Sequence, residues 1–182
     1  MDRSMVTVSK FLSKHLRHTP ELLGLTLRAG GWVPVDELLA GCRRVQFAIT
    51  YDELIECVES SDKQRFSFDG TGDLIRANQG HSVEVDLGLE AKTPPDVLYH
   101  GTVERFLSSI LAEELNKGKR HHVHMTKEIE TARKVGARRG RPAILIVDAA
   151  KMHAGGFEFL ESTNGVWLTD TVPPLFLAAA ES

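Results

Sequence analysis

Long apolar runs are missing from this chain of 182 residues. No stretch approaches the roughly 20 apolar residues that a membrane-spanning helix needs. Residues 1–10 have no apolar segment of the kind a secretory signal carries. Cysteine is nearly absent: Cys42 and Cys57 are the two in the chain. Two thiols in or beside predicted helices, with no ligand-like partner, make neither a disulfide framework nor a zinc site, so buried and inert thiols are expected. A surplus of positive charge is also lacking, with a formal net charge of -3. No overall field attracts nucleic acid, and any such binding must come from a local patch. Internal repeats and low-complexity stretches do not occur. What remains is ordinary globular composition, 42% hydrophobic and 26% charged, long enough for one full domain or two small lobes. The chain reads as cytoplasmic, with no membrane association and no obligate protein partner in evidence.

What is present begins with Arg17 and His18. Val8, Phe11, Leu12 and Leu16 recur at helical spacing, and Pro20 pushes Thr19 out of the helical region. The first helix should therefore end near His18, holding an always-charged guanidinium and a titratable imidazole at its mouth. Such a pair can grip a phosphate and move a proton. Taken alone, it can also be two cations complementing the negative end of a helix dipole.

The rest of the first half reads as two more helices and a hairpin. Residues 30–34 (GGWVP) form a turn, and Val35 starts a second, short helix. Thr50 and Glu53 match a capping box for a third, whose apolar face would be Leu54, Ile55 and Val58. Residues 64–68 (QRFSF) alternate with period two, residues 69–72 (DGTG) turn, and residues 74–77 (LIRA) return as a partner strand. Three helices closed by a hairpin suggest a winged-helix-like lobe. If Phe66 and Phe68 face inward, Arg65 and Ser67 face out.

Pro94 and Pro95 mark a change of texture and a candidate lobe boundary near residues 90–96. The second half is strand-rich. Residues 97–100 form a strand, followed by a Gly101-Thr102 turn and a helix from about Val103. Residues 122–125 are extended, and Thr126 is placed to cap a helix running through Val135. Residues 143–147 (AILIV) are a buried strand. Residues 157–160 and 166–169 form a hairpin around Asn164-Gly165.

Seven stretches, taken together, carry a resemblance: Arg17-His18; residues 64–66 (QRF); residues 76–82 (RANQGHS); residues 98–102 (LYHGT); residues 121–124 (HHVH); residues 135–140 (VGARRG); and residues 165–169 (GVWLT). In this order, over nearly the whole chain, they resemble the Tpt1/KptA family of NAD-dependent RNA 2'-phosphotransferases. The resemblance implies an α+β fold with a winged-helix-like RNA-binding lobe, here residues 1–93, and a β-rich ADP-ribosyltransferase-like NAD-binding lobe, here residues 94–182.

It also implies a reaction. An internal RNA 2'-phosphate attacks ribose C1'' of NAD and expels nicotinamide. The 2''-hydroxyl then attacks that phosphorus, releasing 2'-hydroxyl RNA and ADP-ribose 1'',2''-cyclic phosphate. NAD is a co-substrate and the partner is RNA bearing a 2'-phosphate, as on spliced tRNA. The family's Arg-His-Arg-Arg tetrad falls on Arg17, His18, Arg65 and Arg138, with Arg139 adjacent as the alternative fourth member. His100, Gly101, Thr102, His124 and Val166 fall on the NAD site. Arg76, Asn78, Gln79, His81 and Ser82 fall on the RNA 2'-phosphate neighbourhood.

The residue types suit that chemistry. The nucleophile of the first step is already an anion and needs no protein base, which agrees with Val166 standing where many ADP-ribosyltransferases place a catalytic Glu. In the second step arginines can hold the charge building on phosphorus. His18, with an ordinary pKa of about 6.5, can handle the proton as acid or as base. A metal reading of His122 and His124 lacks a third ligand. Glu114 and Gly118 depart from the family pattern, and Thr126 replaces a usual Ser, which puts the loop at 113–120 and the strength of NAD binding in question. Two other readings compete: an ADP-ribosyltransferase that caps terminal phosphates of RNA or DNA, and a non-catalytic protein that binds nucleic acid and NAD.

Overall fold

A computed structural model of the chain describes residues 4–61 and 63–180. They fall into two compact units that divide between Gly88 and Leu89. Pro94 and Pro95 thus lie inside the second unit, and Pro94 is buried there. Both units mix helices with antiparallel sheet. No helix among the described residues is long and apolar enough to cross a membrane.

In the first unit, α1 (Met5–Arg17) starts on Ser4, whose hydroxyl accepts from the Thr7 N–H at 3.4 Å. Val8, Leu12 and Leu16 are its buried apolar face. It ends where Pro20 requires, with His18 as its cap and the His18 N–H bonded to the Lys14 carbonyl at 3.0 Å. β1 (Val33–Pro34) runs directly into α2 (Val35–Arg44). α3 (Tyr51–Glu59) carries both halves of the capping box: Glu53 N–H to Thr50 Oγ1 at 3.1 Å, and Thr50 N–H to Glu53 Oε2 at 2.8 Å. Its fully buried positions are Leu54 and Cys57, while Ile55 and Val58 are only half-buried.

β2 (Phe66–Phe68) and β3 (Leu74–Ala77) form the expected hairpin across a turn in which Gly72 takes the left-handed conformation, φ 81°. Residues 33–34, expected as part of a turn, instead add a third strand: Val33 pairs with Ile75, giving the order β1–β3–β2. The side chain of Val33 is fully buried, and that burial overrides the local turn chemistry. Leu12, Leu16, Leu38, Leu54, Phe66 and Ile75 are the centre of one core. Cys42 and Cys57 are buried free thiols, and desolvation pushes Cys42 up to about 11.

In the second unit, β4 (Val97–Val103) leads into α4 (Glu104–Ala112). β5 (Leu115–Asn116), β6 (Val123–Met125), α5 (Ile129–Gly136), β7 (Pro142–Asp148), α6 (Ala149–Ala154), β8 (Leu160–Glu161), β9 (Trp167–Thr169), β10 (Thr171–Val172) and β11 (Leu177–Ala179) follow. The sheets are ordered β11–β7–β4, β6–β9–β8 and β10–β5, and all their pairings are antiparallel. An isolated bridge between Tyr99 and Thr126 links β4 to the chain just after β6.

Three sequence expectations are corrected here. Gly101-Thr102 is not a turn: β4 continues through both, pairing Gly101 with Ile144 and Thr102 with Ala143. Thr126 does not cap α5, which starts three residues later behind Glu128; its hydroxyl accepts from the Glu128 N–H at 3.3 Å. The last hairpin keeps its Asn164-Gly165 turn, with Gly165 at φ 76°, but its first strand is Leu160–Glu161 alone. Phe159 is buried in the core, and the Phe159 carbonyl accepts from the Lys92 N–H at 2.8 Å.

Candidate functional site

In the first unit, the candidate residues gather around the end of α1. His15 is buried, its ring 4.4 Å from Phe11, which stacks on Phe47 at 3.8 Å. Its Nδ1 lies 3.2 Å from the carbonyl of Thr19, so a buried imidazole holds the chain just past the helix end. Arg17 runs back over Phe66, its guanidinium carbon 5.9 Å from the ring centroid. Its Nη2 is 3.5 Å from the Arg65 carbonyl, at the outer limit of a hydrogen bond. The half-buried Arg65 reaches Ser61 Oγ at 3.4 Å. Two arginines 48 residues apart in sequence thus belong to one small region.

The segment after β3 ties that region together. Ser82 Oγ lies 2.8 Å from Nδ1 of His18, and the Ser82 N–H donates to the Arg17 carbonyl at 2.9 Å. Asn78 donates from its backbone N–H to the Arg65 carbonyl at 3.0 Å and from Nδ2 to the Gln64 carbonyl at 2.6 Å. Asn78 and His81 are both buried at 2% exposure, Gln79 is half-buried, and Ser82 is exposed. The His81 ring lies under Gly31, where an added β-carbon would sit 3.4 Å from Nε2. Arg76 spreads its guanidinium over the Trp32 ring at 4.6 Å and donates to the Gly30 carbonyl at 3.3 Å; burial lowers its pKa from the ordinary value.

In the second unit, His100 and His124 are joined. His100 Nδ1 is 2.8 Å from the His124 carbonyl, which can only accept, so Nδ1 carries the proton. Burial lowers the pKa of His100, with Arg120 adding to the effect and the carbonyl contact opposing it. The ring is therefore neutral at neutral pH and presents Nε2 as an acceptor. Arg120 Nη1 is 3.2 Å from Nδ1 of His124; a guanidinium only donates, so His124 accepts there and carries its proton on Nε2. One imidazole offers a lone pair and the other an N–H.

Arg120 is the residue that sequence reasoning passed over. It lies in the loop at 113–120, and the signal for it was its place four residues ahead of His124 at the end of a short basic run. Its pKa is lowered by burial and then by the charges of Arg139 and Arg138, so the three guanidiniums share one neighbourhood. Arg138 and Arg139 sit together on the 3₁₀ turn Ala137–Arg139, both exposed, and the geometry does not separate them.

That turn follows α5, and two glycines set how closely α5 approaches β4. A β-carbon on Gly101 would stand 1.9 Å from the Ala132 carbonyl oxygen, and one on Gly136 would stand 2.4 Å from the Thr102 carbonyl oxygen. Neither position admits a side chain. Val166 occupies the turn before β9; its carbonyl accepts from the Ser162 N–H at 2.9 Å and its N–H donates to Ser162 Oγ at 3.1 Å. In the loop whose departures the sequence singled out, Glu114 accepts from the Thr171 hydroxyl at 2.8 Å, and Gly118 holds φ 60°, a conformation that suits glycine.

Comparison with known proteins adds one result. The family model described as RNA 2'-phosphotransferase, Tpt1/KptA family, matches residues 3–171. A "Probable RNA 2'-phosphotransferase" of Nostoc punctiforme is 57% identical over 176 residues, covering 97% of each chain. Proteins of the same description from Trichormus variabilis and Herpetosiphon aurantiacus are 59% and 54% identical, covering 94% and 97% of each chain.

Proposed function

The chain belongs to the Tpt1/KptA family of RNA 2'-phosphotransferases, and we propose that it is an NAD-dependent transferase that moves an internal RNA 2'-phosphate, as on spliced tRNA, to ADP-ribose in the cytoplasm. The observation that carries this reading is the gathering of Arg17, His18 and Arg65 around one loop of the first unit. Within this reading the first unit, with three helices and a three-stranded sheet, is the winged-helix-like RNA-binding lobe, and the second is the ADP-ribosyltransferase-like NAD lobe.

The donor set of the second unit fits NAD. The guanidiniums of Arg120, Arg138 and Arg139 suit phosphate oxygens, and the two neutral imidazoles suit ribose hydroxyls as acceptor and donor. In the first step an oxygen of the 2'-phosphate forms a bond to C1'', and the electron pair of the broken glycosidic bond leaves with nicotinamide. In the second, the 2''-oxygen loses its proton and bonds to phosphorus, and the RNA 2'-oxygen leaves and gains a proton. Arg17 and Arg65 stabilise the charge on phosphorus, and His18 moves a proton at one of the two oxygens.

Incubation with NAD and a 2'-phosphorylated oligonucleotide tests this reading. Release of ADP-ribose 1'',2''-cyclic phosphate is the expected result. Stable ADP-ribosylation of terminal phosphates, with no cyclic product, would replace it with the capping activity.

A further inference from the structure

The segment 78–82 is expected by resemblance to touch RNA, yet the N–H groups of Asn78 and the N–H and hydroxyl of Ser82 close on the protein itself. Asn78 is buried, and its two donors close on consecutive carbonyls, those of Gln64 and Arg65. Gln64 needs such a hold, because its backbone is left-handed at φ 39°, a conformation that non-glycine residues rarely adopt. At the other end, Ser82 holds the carbonyl of Arg17 and the ring of His18. One short loop therefore grips the main chain on which Arg17 and Arg65 stand and the imidazole of His18 itself.

We propose that Asn78 and Ser82 are positioning residues, a two-ended clasp that aims Arg65 and His18, and that neither acts by contacting RNA. This rests on the activity proposed above. Asn78 fixes the direction in which Arg65 leaves the backbone. Ser82 fixes the rotation of the His18 ring by holding Nδ1. A serine hydroxyl accepts from Nδ1–H in the neutral and in the protonated ring alike, so Nε2 can gain and lose a proton with this contact unchanged.

The test uses the full chain. Asn78→Ala should lower turnover at saturating RNA and NAD about 10-fold or more, through misaimed chemistry, with RNA affinity retained. In an Arg65→Ala background the same substitution should cost less than about 3-fold, since it acts through Arg65. A risen RNA KM at unchanged turnover, or a full cost in both backgrounds, would overturn the role of Asn78. Ser82 is exposed and its loss is compatible with folding, so Ser82→Ala serves as the second variant. Turnover should fall with RNA affinity retained, and Ser82→Thr should restore it.

Nitrogen NMR of His18 reads the clasp independently of activity. A single tautomer is expected in the unsubstituted chain and in Ser82→Thr, with exchange between both in Ser82→Ala. Identical spectra in all three would sink the role of Ser82. An unsubstituted chain that yields no cyclic phosphate but shows the tautomer lock would instead count against the activity alone.

Discussion

The carbonyl oxygen of Ala132 lies 1.9 Å from where a β-carbon on Gly101 would be, so α5 and β4 meet backbone to backbone. Helix and strand pack this closely only because position 101 carries no side chain. The turn that bears Arg138 and Arg139 directly follows that helix, and His100 directly precedes that glycine. A packing requirement and the candidate NAD site thus share one residue.

Gly101→Ala should push α5 away from β4 and destabilise the protein by about 1–3 kcal/mol, as overpacking does. At about 2–4 °C per kcal/mol for a chain of this size, a melting experiment resolves the change. A melting temperature equal to that of the unsubstituted protein would mean that the close approach can relax at no cost.

Alanine substitution at Arg120, Arg138 and Arg139 separates three neighbouring guanidiniums. Arg120 is the one bonded to His124. Arg120→Ala should therefore give the largest loss of turnover, about 100-fold, the scale for removing one aimed donor. Arg138→Ala should come next and Arg139→Ala last. A ranking led by Arg139 would reverse this account of the turn.

His100 should make stability depend on pH. Its folded pKa lies below the ordinary value of about 6.5, so below that pH the unfolded chain binds a proton that the native ring resists. Its contribution is complete above pH of about 6.5 and is lost as pH falls toward the folded pKa. Burial lowers His122 in the same direction, so the difference between variants is what isolates His100. Denaturant midpoints of His100→Asn should fall less steeply below pH of about 6.5 than those of the unsubstituted chain. Parallel curves would show that His100 is not the group responsible.

His18 and Arg65 should matter more for the second step than for the first. In the proposed reaction, expelling nicotinamide would use a preformed anion and a good leaving group, whereas the attack on phosphorus would need charge held and a proton moved. His18→Ala and Arg65→Ala should accumulate 2'-phospho-ADP-ribosylated RNA, visible as a slower band on a denaturing gel. Equal loss of both steps, with no such band at any time, would defeat this division.

Several features were legible in the sequence because their causes are local. Pro20 ends α1 next to Arg17 and His18, the Thr50–Glu53 box starts α3, and the Asp69–Gly72 turn joins β2 to β3. Each acts within a few residues, through a missing donor, a side-chain cap or a left-handed glycine. The ordered motifs sufficed to identify the family for the same reason: they are strings of neighbouring residues.

The tertiary structure decided what no neighbour in sequence could. Gly101-Thr102 reads as a turn by composition, yet β7 offers it strand partners and α5 presses on its face. Asn78 and His81 read as a polar loop, yet both are buried, because main-chain carbonyls at Gln64 and Arg65 and the bare surface of Gly31 take them in. Arg120 gains its place only when the sheet sets His124 beside it and the charges of Arg138 and Arg139 gather near. Burial, close approach and summed charge are properties of segments that meet in space, and a pattern along the chain does not contain them.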